Sequence, residues 1–264
     1  MTQDERLNFL IEAFRVESKE YEKLSVPAER NGKRQLLRGL MNVRMPGPMS
    51  AEVLAVQDAY LRERAEEKGI IGLQDIPVIR DGLSVWQGDI TRLAVDAIVN
   101  AANSAMLGCF VPGHNCIDNC IQTYAGVQMR AECDRQMKLL KQEYGQSYVQ
   151  PTAIPLLTDG YNLPAKKVVH IVGPIVTGAL THRHRTELAD CYTNTLDLCM
   201  REGLTSLAFC CISTGVFHFP NEEAAEIAVN TVRGWQETHG NAIERIIFNV
   251  FKDEDKKYYE TLMR

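Results

Sequence analysis

Residues 88–103 read GDITRLAVDAIVNAAN, and this stretch decides the fold class. Its run Val95–Val99 has the length of a strand and is mostly apolar, which predicts a strand buried within a sheet. The run ends in the polar segment NAAN. In open α/β sheets ligands bind beyond the carboxyl ends of the strands. The residues that follow Val99 are therefore the first place to search for a site.

Short apolar runs alternate with helical patterns on both sides of this stretch. Further strands are predicted at Leu83–Gln87, Thr152–Leu156, Lys167–Val172, Ser206–Ile212 and Arg245–Phe251. Helices are predicted at about 116–142, 184–202, 221–238 and 254–263. Strands interleaved with long amphipathic helices predict an α/β sandwich with a mixed, largely parallel central sheet.

The chain before residue 75 has only helical patterns. Thr2 and Glu5 fit a capping box, a second helix is expected over roughly 28–43, and Ser50 can cap a third. The MPGP run, residues 45–48, must end the second helix. We therefore expect an N-terminal helical extension over residues 1–74 and an α/β domain over residues 75–264.

Charge and hydropathy narrow the class of protein. The net charge of −5 weighs against a nucleic-acid partner, since such proteins usually carry a basic surplus. The N-terminus lacks the apolar core of a signal peptide, and no apolar run approaches the ~18 residues that span a bilayer. We expect a soluble, cytoplasmic protein with no membrane partner. Its eight cysteines are then thiols or metal ligands rather than a disulfide framework.

The loop after Val99 contains soft metal ligands. Cys109, His114 and Cys116 have the spacing C-x4-H-x-C, and thiolate with imidazole suits Zn²⁺. The turn at Pro112-Gly113 can fold the loop so that these side chains converge. The alternative is that the cysteines serve as small apolar side chains near a strand end.

The number of ligands separates a catalytic zinc from a structural one. Three protein ligands leave one coordination position open, as a catalytic zinc requires. A structural zinc would need a fourth ligand, for which Cys120 is the nearest candidate. On a helix that begins near residue 116, however, Cys120 is expected to pack with Ile117 and Ile121. We favour the open site.

A second loop follows the strand predicted to end at Ile212. It reads ISTGVFHFP, and its small residues can expose backbone N–H groups as an anion-binding nest. The alternative is an ordinary strand-to-helix connection. Neither a Walker loop nor a GxGxxG fingerprint is present.

Four segments occur in an order and spacing that resemble the macrodomain family of ADP-ribose-binding proteins. They are GDITRLAVDAIVNAAN (88–103), IDNCI (117–121), LPAKKVVHIVGP (163–174) and CCISTGVFHFP (210–220). The resemblance covers about residues 75–264 and implies a three-layer α/β/α macrodomain. The family's glycine-rich loop after NAAN is replaced here by GCFVPGHNCIDNCI.

This replacement resembles the zinc-dependent macrodomain branch of microbes, whose members reverse protein mono-ADP-ribosylation. That branch often carries an added N-terminal helical region. Its members are commonly encoded near a sirtuin-type ADP-ribosyltransferase and a lipoyl-carrier protein. The resemblance therefore implies Zn²⁺ as cofactor and a mono-ADP-ribosylated protein as partner, for which a lipoyl-carrier protein is the candidate.

The resemblance also implies roles for residues at the two ends of the ligand. Asp89 and Ile90 are expected to bind the adenine base, on which Phe251 would stack. Asp89 can also simply cap the turn at Thr91. Asn103 is expected to orient the hydroxyls of the distal ribose.

Asp118 matches the family's acidic residue near the diphosphate and distal ribose. It is expected to orient the ribose or accept a proton from water, and Asn103 and Asp118 are thus the candidate catalytic residues. The alternative for Asp118 is a carboxylate that interacts favourably with the helix dipole.

The remaining candidates surround the second loop. The diphosphate-binding residues implied by the resemblance are Ser213, Thr214, Gly215, Val216 and Phe217. We expect His218 to be a packed or solvent-facing ring, and His170 a core histidine with satisfied hydrogen bonds. Asn100 is expected to tie loop backbone together, while Phe248 and the five remaining cysteines, Cys133, Cys191, Cys199, Cys210 and Cys211, pack in the core.

The functional hypothesis is a zinc-dependent hydrolase that removes mono-ADP-ribose from protein side chains, with a carboxylate as the expected acceptor. Zinc would act as a Lewis acid or lower the pKa of a bound water to about 7. The alternatives are a non-catalytic ADP-ribose-binding module with a structural zinc, and an esterase acting on O-acetyl-ADP-ribose.

Overall fold

The structure is a computed structural model that describes residues 1–264. The strands are β1 (Ile71–Gly72), β2 (Leu83–Gln87), β3 (Leu93–Ala94), β4 (Ala97–Ala101), β5 (Leu156–Asp159), β6 (Lys167–Ile171), β7 (Ser206–Phe209) and β8 (Arg245–Val250). The helices are α1 (Gln3–Arg15), α2 (Arg30–Val43), α3 (Ala51–Lys68), α4 (Ile117–Ala125), α5 (Val127–Tyr144), α6 (His182–Arg201), α7 (Asn221–His239) and α8 (Asp253–Leu262).

Six strands form the central sheet, in the order β2-β8-β7-β4-β6-β5. Every neighbouring pair is parallel except β5 and β6. Strand β7 is buried along its whole length, and β4 and β8 at every residue but one, as expected for strands covered on both faces. The predicted α/β/α fold with a mixed, largely parallel sheet is confirmed.

The parallel strands bring four loops to one edge of the sheet. Strands β2, β8, β7 and β4 are neighbours and run in the same direction. Their carboxyl ends therefore open together into residues 88–92, 251–252, 210–220 and 102–116. The predicted ligand-binding segments, far apart in sequence, meet at this edge.

The first three helices form a separate layer with its own apolar cluster. Thr2 and Glu5 make the predicted capping box of α1, and Ser50 accepts the Val53 N–H at the start of α3. The cluster has ten buried residues, of which Val127 comes from α5. The extension thus packs directly against the α/β part of the chain.

Two predicted elements were wrong. The helix predicted over 116–142 is two helices, α4 and α5, because the chain turns at Gly126, whose φ of 102° favours glycine. The strand predicted at Thr152–Leu156 begins only at Leu156. Ala153 adopts a φ of 63°, and Pro155 has no N–H to donate to a strand ladder.

None of the helices has the length and the apolar character needed to cross a bilayer.

Candidate active site

The soft ligands of the loop after β4 converge. The donor atoms of Cys109, His114 and Cys116 all lie within 4.8 Å of one another, and Cys109 Sγ is 3.5 Å from His114 Nδ1. Cys116 is the N-cap of α4 and its sulfur accepts the Asn119 N–H. The loop after β4 and the start of α4 therefore present two sulfurs and one imidazole nitrogen to the same point.

The donor set fits a zinc ion. Donor atoms around a tetrahedral zinc, with bonds of about 2.0–2.3 Å, are roughly 3.3–3.8 Å apart, so shifts of about 1 Å would close the cluster on an ion. Burial, together with the neighbouring Cys109, raises the pKa of the Cys116 thiol to about 12. A divalent cation bound here would lower the pKa of the thiols, because its charge favours the thiolate form.

Cys120 lies outside this cluster. Its thiol is half-buried and lies 3.5 Å from a guanidinium nitrogen of Arg38, and burial raises its pKa. The converging set contains Cys109, His114 and Cys116 alone. This arrangement supports three protein ligands rather than four.

Asn103 and Asp118 lie beside the cluster. Asn103 Nδ2 donates to the Gly108 carbonyl at 3.0 Å and faces Asp118 Oδ2 at 3.3 Å, while its Oδ1 accepts the Ala105 N–H. Asp118 is buried on the first turn of α4. Burial raises the pKa of its carboxyl to about 6, opposed by hydrogen bonds from Asn100 and Asn103 and by the charge of Arg130.

Asn100 connects Asp118 to a buried histidine. One Nδ2 group faces both Asp118 Oδ1 at 2.8 Å and His170 Nδ1 at 3.0 Å. His170 Nε2 lies 3.0 Å from Thr158 Oγ1, and full burial lowers the pKa of His170 to about 3. The neutral ring thus accepts at Nδ1 and donates at Nε2, which confirms His170 as a satisfied core residue. The prediction for Asn100 was wrong, because its amide bonds side chains and not loop backbone.

Asp89 stands just beyond the carboxyl end of β2, an outermost strand of the central sheet. Its Oδ1 accepts the N–H and the hydroxyl of Thr91, so it caps the short turn Ile90–Arg92. Its Oδ2 lies 3.5 Å from Lys68 Nζ, which also sits 3.3 Å above the Tyr124 ring. The Asp89 side chain is 37% exposed, whereas Ile90 is buried.

Phe248, within β8, and Phe251, just after it, differ in their exposure to solvent. The side chain of Phe251 is 79% exposed, whereas Phe248 is 1% exposed and packs on Tyr259 and Phe209. An exposed aromatic ring at a sheet edge is available to stack on a planar ligand. The expectation that Phe248 packs inside is confirmed.

The loop after β7 is the segment predicted to bind an anion through its backbone. Ser213 adopts a φ of 65°, and its buried Oγ has no hydrogen-bond partner. Gly173 permits this close packing, since a Cβ there would lie 2.1 Å from Ser213 Oγ. A Cβ on Gly215 would meet nothing within 4 Å, so the loop faces open space.

Some of the other residues of this loop hydrogen-bond to the rest of the chain, and the others have exposed side chains. Thr214 Oγ1 donates to the Cys211 carbonyl, and Phe217 accepts the Val176 N–H through its carbonyl. Val216 and His218 are exposed, the latter as the sequence predicted. The loop is thus held by its backbone, with open space in front of it.

Sequence reasoning missed several residues that hold the site. Asn119 is fully buried and donates to the carbonyls of Cys109 and Val111. Arg130 lies 4.3 Å from the Phe110 ring and donates to carbonyls at the end of α2. The only signal for Asn119 was its place within IDNCI. Arg130 had none, because the Asn42 carbonyl that it bonds lies 88 residues away in the chain.

The other cysteines take no part in the site. Cys133, Cys191, Cys199 and Cys210 are buried as predicted, and Cys211 is half-buried against the core.

The sequence of this chain is similar to those of known proteins. A profile described as Macro domain matches residues 99–228. The protein-ADP-ribose hydrolase of Treponema medium is 50% identical over 267 residues, covering 100% of both chains. That of Staphylococcus aureus (strain MRSA252) is 45% identical over 97% of this chain and 94% of its own.

Solved structures resemble the fold. The Trypanosoma brucei macrodomain in complex with ADP-ribose has a TM-score of 0.65 and 27% identity, over 86% of this chain and 95% of that one. The Oceanobacillus iheyensis macrodomain with ADP has a TM-score of 0.61 and 31% identity, over 71% of this chain and 93% of that one.

Proposed function

Because this chain belongs to the macrodomain family, we propose that it is a protein-ADP-ribose hydrolase that removes mono-ADP-ribose from modified protein side chains. The observation that carries the proposal is the convergence of Cys109, His114 and Cys116 beside Asn103 and Asp118. Full-length relatives at 45–50% identity are named protein-ADP-ribose hydrolases, which supports the same reaction.

The proposed pose of ADP-ribose follows the edge of the sheet. Asp89 Oδ2 and the Ile90 backbone bind adenine, and the exposed Phe251 ring stacks on it. Backbone groups of residues 213–217 hold the diphosphate in the nest, with Phe217 beside the distal ribose. The loop carrying Cys109 and Asn103 then meets that ribose.

The metal assignment is part of the proposal. Cys109, His114 and Cys116 would hold Zn²⁺, which when bound supplies Lewis acidity at the reacting end of the ligand. The two sulfurs and one nitrogen suit zinc better than calcium or magnesium.

The residues of the chain position the reacting groups. Asn103 Nδ2 orients the hydroxyls of the distal ribose, and the Asp118 carboxylate holds or accepts the proton of the attacking water. Asn100 orients Asp118 by donating a hydrogen bond from Nδ2 to its Oδ1. Hydrolysis adds one water: the distal ribose keeps a hydroxyl at its anomeric carbon, and the protein recovers its carboxylate.

The acceptor side chain and the carrier protein follow from the resemblance. We propose a carboxylate-linked ADP-ribose, since an ester is labile enough for this machinery, and a lipoyl-carrier protein as the candidate partner. Residues 1–74 and 75–264 are proposed as two units; in support, the extension has its own apolar cluster, to which the α/β part contributes only Val127 among the buried residues.

One release assay tests the proposal. The purified protein is incubated with a carboxylate-linked mono-ADP-ribosylated protein and, separately, with O-acetyl-ADP-ribose, each with and without a chelator. Release of ADP-ribose from the protein that stops with chelator and returns with Zn²⁺ supports it. Release unaffected by complete zinc removal excludes the zinc assignment, and activity on the small ester alone favours the esterase.

A further inference from the structure

Helix α2 of the N-terminal extension contacts the loop of residues 109–116, which we call the metal loop. We propose that Arg38 and Asn42 of α2 are positioning residues that hold the metal loop in its ligand-converging shape. This inference rests on the proposed zinc site and assigns a role to the extension: it completes that site.

Arg38 reaches the metal loop through its guanidinium group. One nitrogen donates to the carbonyl of His114 at 2.6 Å, and the other donates to Asn115 Oδ1 at 3.0 Å. The first also lies 3.1 Å from Asn119 Oδ1. A planar guanidinium can serve several acceptors in fixed directions, which a lysine ammonium does with less geometric definition.

Asn42 holds the turn of the same loop. Its Oδ1 accepts the Gly113 N–H at 2.9 Å, and its Nδ2 donates to Thr123 Oγ1 at 2.5 Å. Asn42 is 1% exposed; its bond to Thr123 is buried, and its bond to the exposed Gly113 is partly buried. The amide therefore ties the Pro112-Gly113 turn to α4.

Asn119 completes the connection from within α4. Its Nδ2 donates to the carbonyls of Cys109 and Val111 at 3.2 and 3.0 Å, while its Oδ1 faces Arg38. The backbone carbonyl of Cys109 is thus bonded to Asn119 and that of His114 to Arg38, and Arg38 in turn donates to Asn119.

The metal loop has little else to hold it. Residues 111–115 are all exposed, so they contribute almost nothing to the hydrophobic core. Ordering such an exposed segment costs backbone conformational entropy. Hydrogen bonds from α2 and α4 offset this cost before a metal binds, and loss of such supporting bonds typically lowers metal affinity by about 10- to 100-fold.

The test measures zinc affinity directly. Arg38→Ala, Arg38→Lys and Asn42→Ala are compared with the full-length wild type by competition with a chromogenic chelator, and folding is checked by circular dichroism. Arg34→Ala is the matched control, because Arg34 lies one turn earlier on α2 and pairs with Glu67 instead of the loop. The absorption spectrum of bound Co²⁺ reports whether the thiolate ligands keep their geometry.

We expect Arg38→Ala and Asn42→Ala to bind zinc about 10- to 100-fold more weakly, with altered Co²⁺ bands, and Arg38→Lys to fall between them and the wild type. Arg34→Ala should match the wild type.

Equal zinc affinity in all folded variants overturns the inference while leaving the zinc site intact. If Arg38→Ala does not fold, Arg38→Lys and Asn42→Ala decide. A wild type that binds no zinc overturns both proposals, whereas zinc binding without ADP-ribose release refutes only the proposed activity.

Discussion

The side-chain amide of Asn100, on β4, donates a hydrogen bond to Oδ1 of Asp118, on α4, at 2.8 Å. Both residues are buried, and the same amide nitrogen faces the ring of His170. A carboxylate in the proposed site is thereby held by a row of side chains that passes through β4 and β6 to Thr158 on β5. The orientation of Asp118 depends on the sheet itself.

Replacing Asn100 should impair the reaction more than substrate binding. Asn100→Ala removes the donor that orients Asp118, so we expect kcat to fall about 10- to 100-fold with KM nearly unchanged. Steady-state release of ADP-ribose from a modified protein measures both constants. Thr158→Val, at the far end of the row, is the control and should cost less. A larger loss in Thr158→Val would show that the row acts only through stability.

Replacing a zinc ligand should separate turnover from ligand binding. Cys109→Ala and His114→Ala leave one of three donors missing, so we expect no bound zinc and no measurable release, while ADP-ribose still binds. Elemental analysis, the release assay and calorimetric titration with ADP-ribose measure these quantities. Full turnover in a folded, zinc-free variant would refute the role of the cluster.

Cys120 should be dispensable for the metal. Its thiol lies against Arg38 and outside the converging donors. Cys120→Ala is therefore expected to retain one zinc per chain, with affinity within a few-fold of the wild type. An affinity loss as large as that of Cys109→Ala would instead identify Cys120 as a fourth ligand and favour a structural zinc.

Truncating Phe251 should weaken ligand binding, whereas truncating Phe248 should lower stability. Phe251→Ala removes an exposed ring, so we expect unchanged stability but an ADP-ribose affinity lower by about 1–3 kcal/mol, roughly 5- to 150-fold. Phe248→Ala should cost about 3–5 kcal/mol of unfolding free energy. Calorimetric titration and urea denaturation measure the two effects. Unchanged affinity in Phe251→Ala would contradict adenine stacking.

His170 should make the folded state sensitive to acid. Burial lowers its pKa to about 3, whereas in the unfolded chain it titrates near 6.5. At a pH between these two pKa values, His170 is protonated in the unfolded state and neutral in the folded state. The stability is therefore intact above about pH 6.5 and falls as the pH drops toward 3.

His170→Asn tests this linkage, since its amide oxygen can still accept from Asn100. We expect the variant to be less stable at pH 7 but to lose less of its stability between pH 7 and pH 4.5 than the wild type. Urea denaturation across this range measures the difference. Parallel curves for the two proteins would contradict it.

Much of the fold could be predicted because it rests on local patterns. Strands such as Leu83–Gln87 show apolar runs of the right length, and Thr2 and Ser50 mark helix starts through their own hydrogen bonds. The predictions failed where a single backbone angle decided the outcome, at Gly126 and Ala153. Such angles are set by packing between distant segments, which local patterns do not record.

The sequence by itself determined the ligand chemistry and the order of the segments: the spacing of Cys109, His114 and Cys116 and the run NAAN follow from the residues alone. Only the tertiary structure decided which side chains support them. Arg38 and Asn42 lie more than 70 residues before the loop residues that they bond, His114 and Gly113, and Asn100 faces Asp118 only because β4 and α4 pack together. The physical reason is that hydrogen bonds depend on distance and direction in space, so partners far apart in the chain leave no periodic signal in the sequence.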